Sequence, residues 1–167
     1  MISAPTEVNK ILKTRKTIRL KNYNYAKKGM YFITICVKNR EQLLGEICRG
    51  DNLSPETKND CIKIELSKEG IIVKEYLKLI VEKYENVNID EYIIMPNHIH
   101  LILKIEDEGN QKTISQIVGQ YKRNVTIQLK YSIWQKSFYE HIIRNENEYY
   151  KIKKYIKENP LRWINKN

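Results

Sequence analysis

Two apolar runs joined by only two residues constrain the fold of this 167-residue chain more than any other feature. The runs over 87–95 and 98–105 are rich in Ile and Leu, and Pro96 and Asn97 separate them. Proline fixes φ and asparagine tolerates turn conformations, so this dipeptide favours a tight turn. The sequence therefore predicts a β-hairpin with strands over 87–95 and 98–105.

The remaining elements are predicted from hydrophobic periodicity and from capping residues. The stretch 30–37 is apolar on both faces, which is typical of a central strand. A short edge strand is predicted over 43–47 and a loop over 49–60. A helix follows, capped by Ser67 and ending near Tyr84, and its apolar stripe is Ile71, Ile72, Tyr76, Leu79 and Ile80.

The second half of the chain is predicted to contain a helix over 113–129 and a strand over 137–143. A last helix is capped by Asn145 or Asn147 and ends near Glu158, before Asn159 and Pro160.

This order of elements predicts an α+β fold. It matches a ferredoxin-like layout, with a mostly antiparallel sheet and the helices on one of its faces. The length suits one domain with a real core, which we place at residues 29–167. Residues 1–28 are predicted to form a basic N-terminal arm.

Composition narrows the compartment and the class of protein. Mean hydropathy is −0.59, and no long uncharged apolar run is present, which excludes a transmembrane helix. The first residues lack the apolar region of a signal peptide, so we expect a cytoplasmic, nucleoid-associated protein. Cys36, Cys48 and Cys61 are too widely spaced for a zinc knuckle, and we expect them to be reduced.

The charge balance indicates a phosphate polymer as partner. Thirty Lys and Arg against twenty Asp and Glu give a net charge of +10, and such proteins bind nucleic acids with release of counterions. The stretch from Lys10 to Lys28 contains eight basic residues and no acid, with Tyr23 and Tyr25 between them. This pattern suits single-stranded nucleic acid. A solvated basic tail is the alternative.

His98 and His100 are candidate metal ligands. Side chains at i and i+2 of a strand point to the same face, so the two imidazoles project together. They are placed to share one metal ion, although a histidine on a strand is more often a satisfied polar residue. The third histidine, His141, is expected on the last strand. It is an accessory candidate that could reach the same face, contact a phosphate, or simply pack.

Tyr155 and Asn159 lie one turn apart on the last predicted helix, on one face. Ile152 and Ile156 occupy the adjoining face and are expected to seat the helix against the sheet. A tyrosine hydroxyl beside a metal-polarised phosphodiester can attack phosphorus, and Asn159 can complete the coordination of the metal. An interfacial aromatic without a catalytic role is the alternative for Tyr155.

Three motifs resemble those of one known family. They are Met95-Pro-Asn-His-Ile-His-Leu-Ile-Leu103, Ile133-Trp-Gln-Lys-Ser-Phe-Tyr-Glu-His-Ile-Ile-Arg-Asn145 and Tyr155-Ile-Lys-Glu-Asn-Pro160. In this order they resemble the IS200-like (Y1) transposases, with the closer match to the REP-associated tyrosine transposase branch. The resemblance begins at about Tyr25 and covers most of the chain.

The resemblance implies roles for particular residues. His98 and His100 match the HUH motif that binds Mg²⁺ or Mn²⁺, Tyr155 matches the nucleophile, and Asn159 matches the polar residue that assists the metal. The expected partner is single-stranded DNA with hairpins, bound by a monomer or a homodimer. Candidate phosphate contacts are Arg15, Lys16, Arg19, Lys21, Lys122 and Arg123.

The function that this resemblance implies is DNA strand transfer. The chain would cut at hairpin-flanked sites through a 5′-phosphotyrosine and then rejoin the strand. Two alternatives remain open at this point. One is a domesticated relative that binds structured single strands without cutting, and the other is a metal-dependent phosphodiesterase that uses water, with Tyr155 in a structural role.

Overall fold

A computed structural model describes residues 26–49, 62–107 and 112–165. The predicted N-terminal arm lies almost wholly outside these ranges. Within them the chain forms six strands and three α-helices, together with a single 3₁₀ turn over Lys38–Arg40. In chain order the elements are β1 Gly29–Cys36, β2 Gly45–Arg49, β3 Ile62–Leu66, α1 Lys68–Lys83, β4 Val87–Met95, β5 His98–Ile105, α2 Ile114–Leu129, β6 Tyr139–Ile143 and α3 Glu146–Ile164.

The main sheet has the predicted layout. Among the described residues it contains four strands in the order β4-β5-β1-β6, and each neighbouring pair is antiparallel. The β4–β5 hairpin turns at Pro96 and Asn97, and β1 lies inside the sheet, as its sequence predicted. With helices between β3 and β4, and between β5 and β6, this is an α+β, ferredoxin-like arrangement.

A second, two-stranded sheet was only half predicted. The expected edge strand over 43–47 is shifted to Gly45–Arg49, and it pairs with β3, a strand that the sequence analysis did not identify. Of the loop predicted over 49–60, Arg49 belongs to β2 and the rest lies outside the described residues. The five residues of β3 were too short a run to recognise without their partner strand.

One face of the main sheet is covered by α1 and α2, and we call it the α1/α2 face. Its core is apolar and includes Ile99, Leu101, Leu103 and Ile105 of β5, each at most 1% exposed. Helix α2, which lies within the predicted range 113–129, packs on it through its buried residues Ile114, Ile117, Val118, Tyr121 and Val125. This face provides most of the hydrophobic core.

Helix α1 has the predicted bounds and the predicted Ser67 cap, but of its predicted apolar stripe only Ile80 is fully buried. Its buried residues are Gly70, Val73, Leu77 and Ile80, whereas Ile71 and Leu79 are 49% and 43% exposed. The close approach at Gly70 explains the rotation, because a Cβ there would lie 2.0 Å from the Leu44 carbonyl oxygen. Only glycine allows this contact, which turns the Gly70 side of the helix inward.

The prediction that all helices lie on one face is wrong. Helix α3 packs on the opposite face, the α3 face, where Ile102, Ile143 and Ile156 form a second and smaller apolar cluster. The reason is that every residue of β5 from His98 to Leu103 is buried, so both faces of this strand need cover. Asn145 caps α3, as predicted, and its side chain accepts a hydrogen bond from the Glu148 amide.

Helix α3 also runs further than predicted, through Pro160 to Ile164. Proline removes one helical hydrogen bond, but its fixed φ is compatible with a helix. The turn beyond Pro160 is held by Trp163, whose ring centroid lies 6.1 Å from that of His98. Tertiary packing therefore outweighs the local stop signal. No helix within the described ranges is long and apolar enough to cross a membrane.

Candidate active site

An open pocket of about 330 Å³ lies where α3 crosses the β1–β5 part of the sheet. The predicted metal ligands and the predicted nucleophile all line it. Its lining residues are Thr34, Arg40, His98, His100, Tyr155, Asn159, Arg162 and Trp163. Strand β5 supplies the two histidines, and one helical turn of α3 supplies Tyr155 and Asn159, so the spacing arguments from sequence converge on one place.

The two histidines face each other at the floor of the pocket. Their Nε2 atoms are 3.0 Å apart, and both residues are buried, with 7% of His98 and 5% of His100 exposed. The Nδ1 atom of each ring forms a hydrogen bond with a neighbouring side chain. His98 Nδ1 lies 2.7 Å from Asn97 Oδ1, and His100 Nδ1 lies 2.8 Å from Thr34 Oγ1. Both rings are thereby fixed with their Nε2 atoms toward the pocket.

Burial holds both imidazoles in the neutral form. Desolvation, followed by the nearby Arg40 guanidinium, lowers the pKa of His98 to about 4, although a hydrogen bond to the side chain of Asn159 acts in the opposite direction. Desolvation, then His98 and then Arg40, lowers the pKa of His100 to about 3. Neutral imidazole is the form that binds metals, because its ring nitrogen keeps a lone pair.

The donor set suits a single divalent metal ion. The two Nε2 atoms are 3.0 Å apart, which is close enough for both to bind the same ion. Asn159 is buried and contacts His98, so its amide oxygen is a third candidate ligand. Remaining positions would be open to water and substrate.

Another group of metal-ligand types occurs elsewhere. Glu46, Cys48 and Glu65, on the β2–β3 sheet, place three potential ligand atoms within 4.8 Å of one another. Both carboxylates are exposed, and Lys63 already pairs with Glu65 at 2.9 Å. A groove of about 290 Å³ between α1 and α2 offers no histidine to a ligand. The histidine pocket alone combines metal-ligand groups with a potential nucleophile, within the part of the chain described.

Tyr155 lies at the mouth of the pocket. Its hydroxyl is 3.5 Å from His100 Nε2, and its ring packs edge-on to His100 and Phe32 at centroid distances of 5.3 Å and 6.2 Å. The Arg162 guanidinium sits 5.5 Å from the ring centroid. The residue is 37% exposed, so its hydroxyl is fixed beside the histidines and remains accessible to a substrate.

A β-bulge helps to set the position of α3. The pairing of β4 with β5 skips Asp90, and the two consecutive acids Asp90 and Glu91 both contact α3. Asp90 accepts hydrogen bonds from the Tyr149 hydroxyl at 2.9 Å and from Lys153 Nζ at 3.2 Å. Lys157 Nζ lies 3.6 Å from Glu91. We call these five residues the bulge clamp.

Within the clamp, Lys153 contacts Tyr149, Asp90 and Glu91. Its hydrogen bonds to Tyr149 and then to Asp90 raise the pKa of its ammonium group above the ordinary value. The three α3 residues recur every four positions, so they lie along one side of the helix. Tyr155 and Asn159 are carried on the same helix, and the clamp therefore fixes the rotation that brings them to the histidines.

The structure places the other predicted site residues away from the pocket. His141 lies on the α3 face, but its Nε2 pairs with Glu148 at 2.6 Å. Lys122 is half-buried on α2 and donates to the carbonyl oxygens of Gln135 and Lys136 at 2.6 Å and 3.2 Å. Arg123 is exposed on the same helix. Arg15, Lys16, Arg19 and Lys21 lie outside the described residues.

Four pocket residues were not predicted from sequence: Thr34, Arg40, Arg162 and Trp163. Thr34 is directly opposite His100 in the β1–β5 register. A polar residue inside an otherwise apolar strand is a signal that could have identified it. Arg40 gave no such signal, because an arginine just after a strand is common at protein surfaces.

Comparison with known proteins gives a relative in sequence and a solved structure with a similar fold. No family model matches the chain. An uncharacterized protein of Haemophilus influenzae is 35% identical in a gapped alignment of 182 positions that covers 95% of this chain and 94% of that protein. The structure of a REP-associated tyrosine transposase bound to a REP hairpin matches with a TM-score of 0.64 at 21% identity, over 87% of this chain and 74% of that one. The described fold is thus shared with that transposase.

Proposed function

The chain belongs to the same family as the uncharacterized Haemophilus influenzae protein, and we propose that it is a metal-dependent DNA transposase of the Y1 HUH type. In this proposal it cuts single-stranded DNA beside a hairpin through a 5′-phosphotyrosine and rejoins the strand. The observation that carries the proposal is the position of the Tyr155 hydroxyl, which lies 3.5 Å from His100 Nε2. The same Nε2 atom lies 3.0 Å from His98 Nε2. A nucleophile and a two-histidine metal site meet in one open pocket.

His98, His100 and Asn159 would hold Mg²⁺ or Mn²⁺. When bound, the ion supplies positive charge to the phosphodiester oxygens and makes phosphorus more electrophilic. The chain itself prepares the site by burying two neutral imidazoles and by fixing both rings through Asn97 and Thr34. Hard ions of this class retain exchangeable oxygen ligands, which leaves room for a substrate phosphate.

Tyr155 performs the covalent step in this mechanism. Its hydroxyl oxygen attacks phosphorus, the bond from phosphorus to the 3′ oxygen breaks, and the phenol proton passes to water at the open mouth of the pocket. The departing oxygen takes a proton and becomes a free 3′-hydroxyl, while the 5′-phosphate stays on the tyrosine. Rejoining is the reverse reaction, with a 3′-hydroxyl as the attacking group. One phosphodiester is exchanged for another, so no external energy source is needed.

The DNA substrate is inferred from charge and from the structural relative. The net charge of +10 favours a polyanion, and the transposase that shares the fold was captured with a REP hairpin. Candidate phosphate contacts are Arg15, Lys16, Arg19, Lys21, Lys122 and Arg123. The expected oligomeric state is a monomer or a homodimer. Within one chain, the Tyr155 hydroxyl lies 3.5 Å from His100 Nε2.

The proposal is tested by incubating the protein with single-stranded hairpin oligonucleotides and Mn²⁺. We expect a covalent protein–DNA adduct on a denaturing gel, and its loss in Tyr155→Phe. Tyr150→Phe is the matched control, because Tyr150 is on the same helix and 63% exposed. Cleavage that persists in Tyr155→Phe would instead indicate a phosphodiesterase that uses water. Tight binding by the wild type without any cleavage would indicate a non-cleaving binding protein.

A further inference from the structure

The turn that follows β1 has an unusual backbone. Asn39 and Arg40 are consecutive non-glycine residues with φ of 55° and 60°. Left-handed conformations of this kind are uncommon for arginine and are retained where the surroundings enforce them. Here the Arg40 amide donates to the Val37 carbonyl at 3.2 Å, and Asn97 Nδ2 donates to the Arg40 carbonyl at 3.1 Å.

This turn connects Arg40 to the histidine site. Asn97, which binds the Arg40 backbone, also holds the Nδ1 atom of His98 at 2.7 Å. The Arg40 side chain lines the pocket with His98, His100 and Tyr155. The strained turn therefore delivers a guanidinium to the pocket.

The Arg40 guanidinium has no carboxylate partner among the described residues, and no acidic side chain lines the pocket. The other arginine of the pocket differs, since Arg162 donates to Glu158 at 3.2 Å. A guanidinium that faces neutral imidazoles rather than a carboxylate is left to bind an anion from outside. The planar fork of arginine matches the oxygens of a phosphate group.

We propose that Arg40 binds the phosphate that Tyr155 attacks, and that it makes metal binding depend on that phosphate. The inference rests on the proposed function. Without DNA, the positive guanidinium would disfavour a divalent cation at the histidines. A bound phosphate would neutralise the guanidinium, so DNA and metal would each strengthen the binding of the other. The site is thereby loaded fully only when substrate is present.

The test compares wild type with Arg40→Gln and Arg40→Lys, and uses Lys74→Gln as the control for loss of one positive charge. Lys74 is exposed on α1, on the other side of the sheet from the pocket. Mn²⁺ affinity is measured by titration without DNA, adduct formation by gel, and DNA affinity as a function of salt.

Arg40→Gln is expected to bind Mn²⁺ several-fold more tightly in the absence of DNA, and to form the adduct about 100-fold more slowly. Its salt dependence should show about one fewer phosphate contact. Arg40→Lys keeps the charge but loses the fork, so its adduct rate should be intermediate and its Mn²⁺ affinity close to wild type. Lys74→Gln should match wild type in Mn²⁺ affinity and adduct rate.

An Arg40→Gln protein with an unchanged adduct rate would overturn the inference. So would a joint loss of Mn²⁺ affinity and adduct rate, because that would show a structural role for Arg40. If Arg40→Gln fails to fold, an Arg40→Lys adduct rate equal to wild type would also overturn it. Absence of any adduct from the wild type would overturn the proposed function, whereas the Mn²⁺ titration without DNA would still test Arg40.

Discussion

The two faces of the main sheet differ in what covers them. On the α1/α2 face, β5 presents Ile99, Leu101 and Leu103 to a continuous apolar core. On the α3 face, the same strand presents His98 and His100 together with Ile102. Alternation along one strand thus separates two tasks, with folding on one face and the candidate chemistry on the other.

The contrast extends to the helices. Helices α1 and α2 seal their face with apolar side chains, whereas α3 is held by a small apolar cluster and by the bulge clamp of Asp90, Glu91, Tyr149, Lys153 and Lys157. Because few apolar side chains join α3 to the sheet, the part of the sheet that carries the histidines is not sealed, and the pocket opens there. Substitutions on the two faces should therefore have separable effects, mainly on stability on one and mainly on DNA cleavage on the other.

His100→Ala should have the largest effect, and that effect should be on DNA cleavage. Removing one of two nitrogen ligands should reduce Mn²⁺-dependent adduct formation by on the order of 10³-fold. Because His100 is buried and its Nδ1 pairs with Thr34, the melting temperature of the metal-free protein should also fall, but by less than in Leu101→Ala. Gel assays and thermal melts measure the two quantities. An active His100→Ala protein would refute the metal site.

The adjacent substitution Leu101→Ala should have the opposite profile. Leu101 is 1% exposed on the α1/α2 face, and its truncation should lower the free energy of unfolding by about 2–5 kcal/mol. Denaturant titration measures this change. Under conditions where the variant is folded, its adduct formation should stay near wild type. A selective loss of activity in stably folded Leu101→Ala would show that the two faces are not separable.

The bulge clamp should have an intermediate effect. Asp90→Lys breaks its contacts with Tyr149 and Lys153, so α3 is held less firmly and adduct formation should fall by about 10-fold, as expected from misplacing a reacting group. Combining it with Lys153→Asp should restore part of the rate. Lys154→Met is the control, since that side chain is 74% exposed on the same helix. No recovery in the double variant would argue against a positioning role.

The smallest expected effect concerns the N-terminus of α3. Hydrogen bonds from the Arg144 amide and then from His141 lower the pKa of Glu148. A carboxyl group with a lowered pKa in the folded state adds stability above its ordinary pKa, and this stability is lost as the pH falls through the folded value. Glu148→Gln should thus be less stable than wild type at neutral pH, and the difference should shrink in acid.

Thermal melts between neutral and acidic pH measure that difference. Glu146→Gln is the matched control, since Glu146 is exposed in the same helical turn. A pH-independent difference between Glu148→Gln and wild type would contradict the electrostatic explanation.

The sequence predicted the local elements better than their mutual arrangement. Alternation and the Pro96-Asn97 turn gave the β4–β5 hairpin, and the i, i+2 rule placed His98 and His100 on one face. Helix α3 packs on the face opposite α1 and α2 because both faces of β5 need cover, and this is evident only once the sheet is assembled. The exposed Ile71 depends likewise on the close contact between Gly70 and Leu44.

The candidate site shows the same limit. Tyr155 and Asn159 were identifiable from their spacing and from a family resemblance, because both belong to one helical turn. Thr34 and Arg40 reach the pocket through strand pairing and through a left-handed turn, and neither leaves a pattern of fixed spacing in the sequence. Arg40 therefore required the structure, whereas Thr34 left only the signal of a polar residue inside an apolar strand.

The central claim is that Tyr155 becomes covalently linked to DNA, and mass spectrometry of the adduct tests it most directly. The protein is incubated with a single-stranded hairpin oligonucleotide and Mn²⁺, and the adduct is digested with protease and nuclease. A nucleotide linked through 5′-phosphate to Tyr155 is the predicted result. A nucleotide on another tyrosine, such as the exposed Tyr139 or Tyr150, or cleaved DNA without any linked peptide, would contradict it.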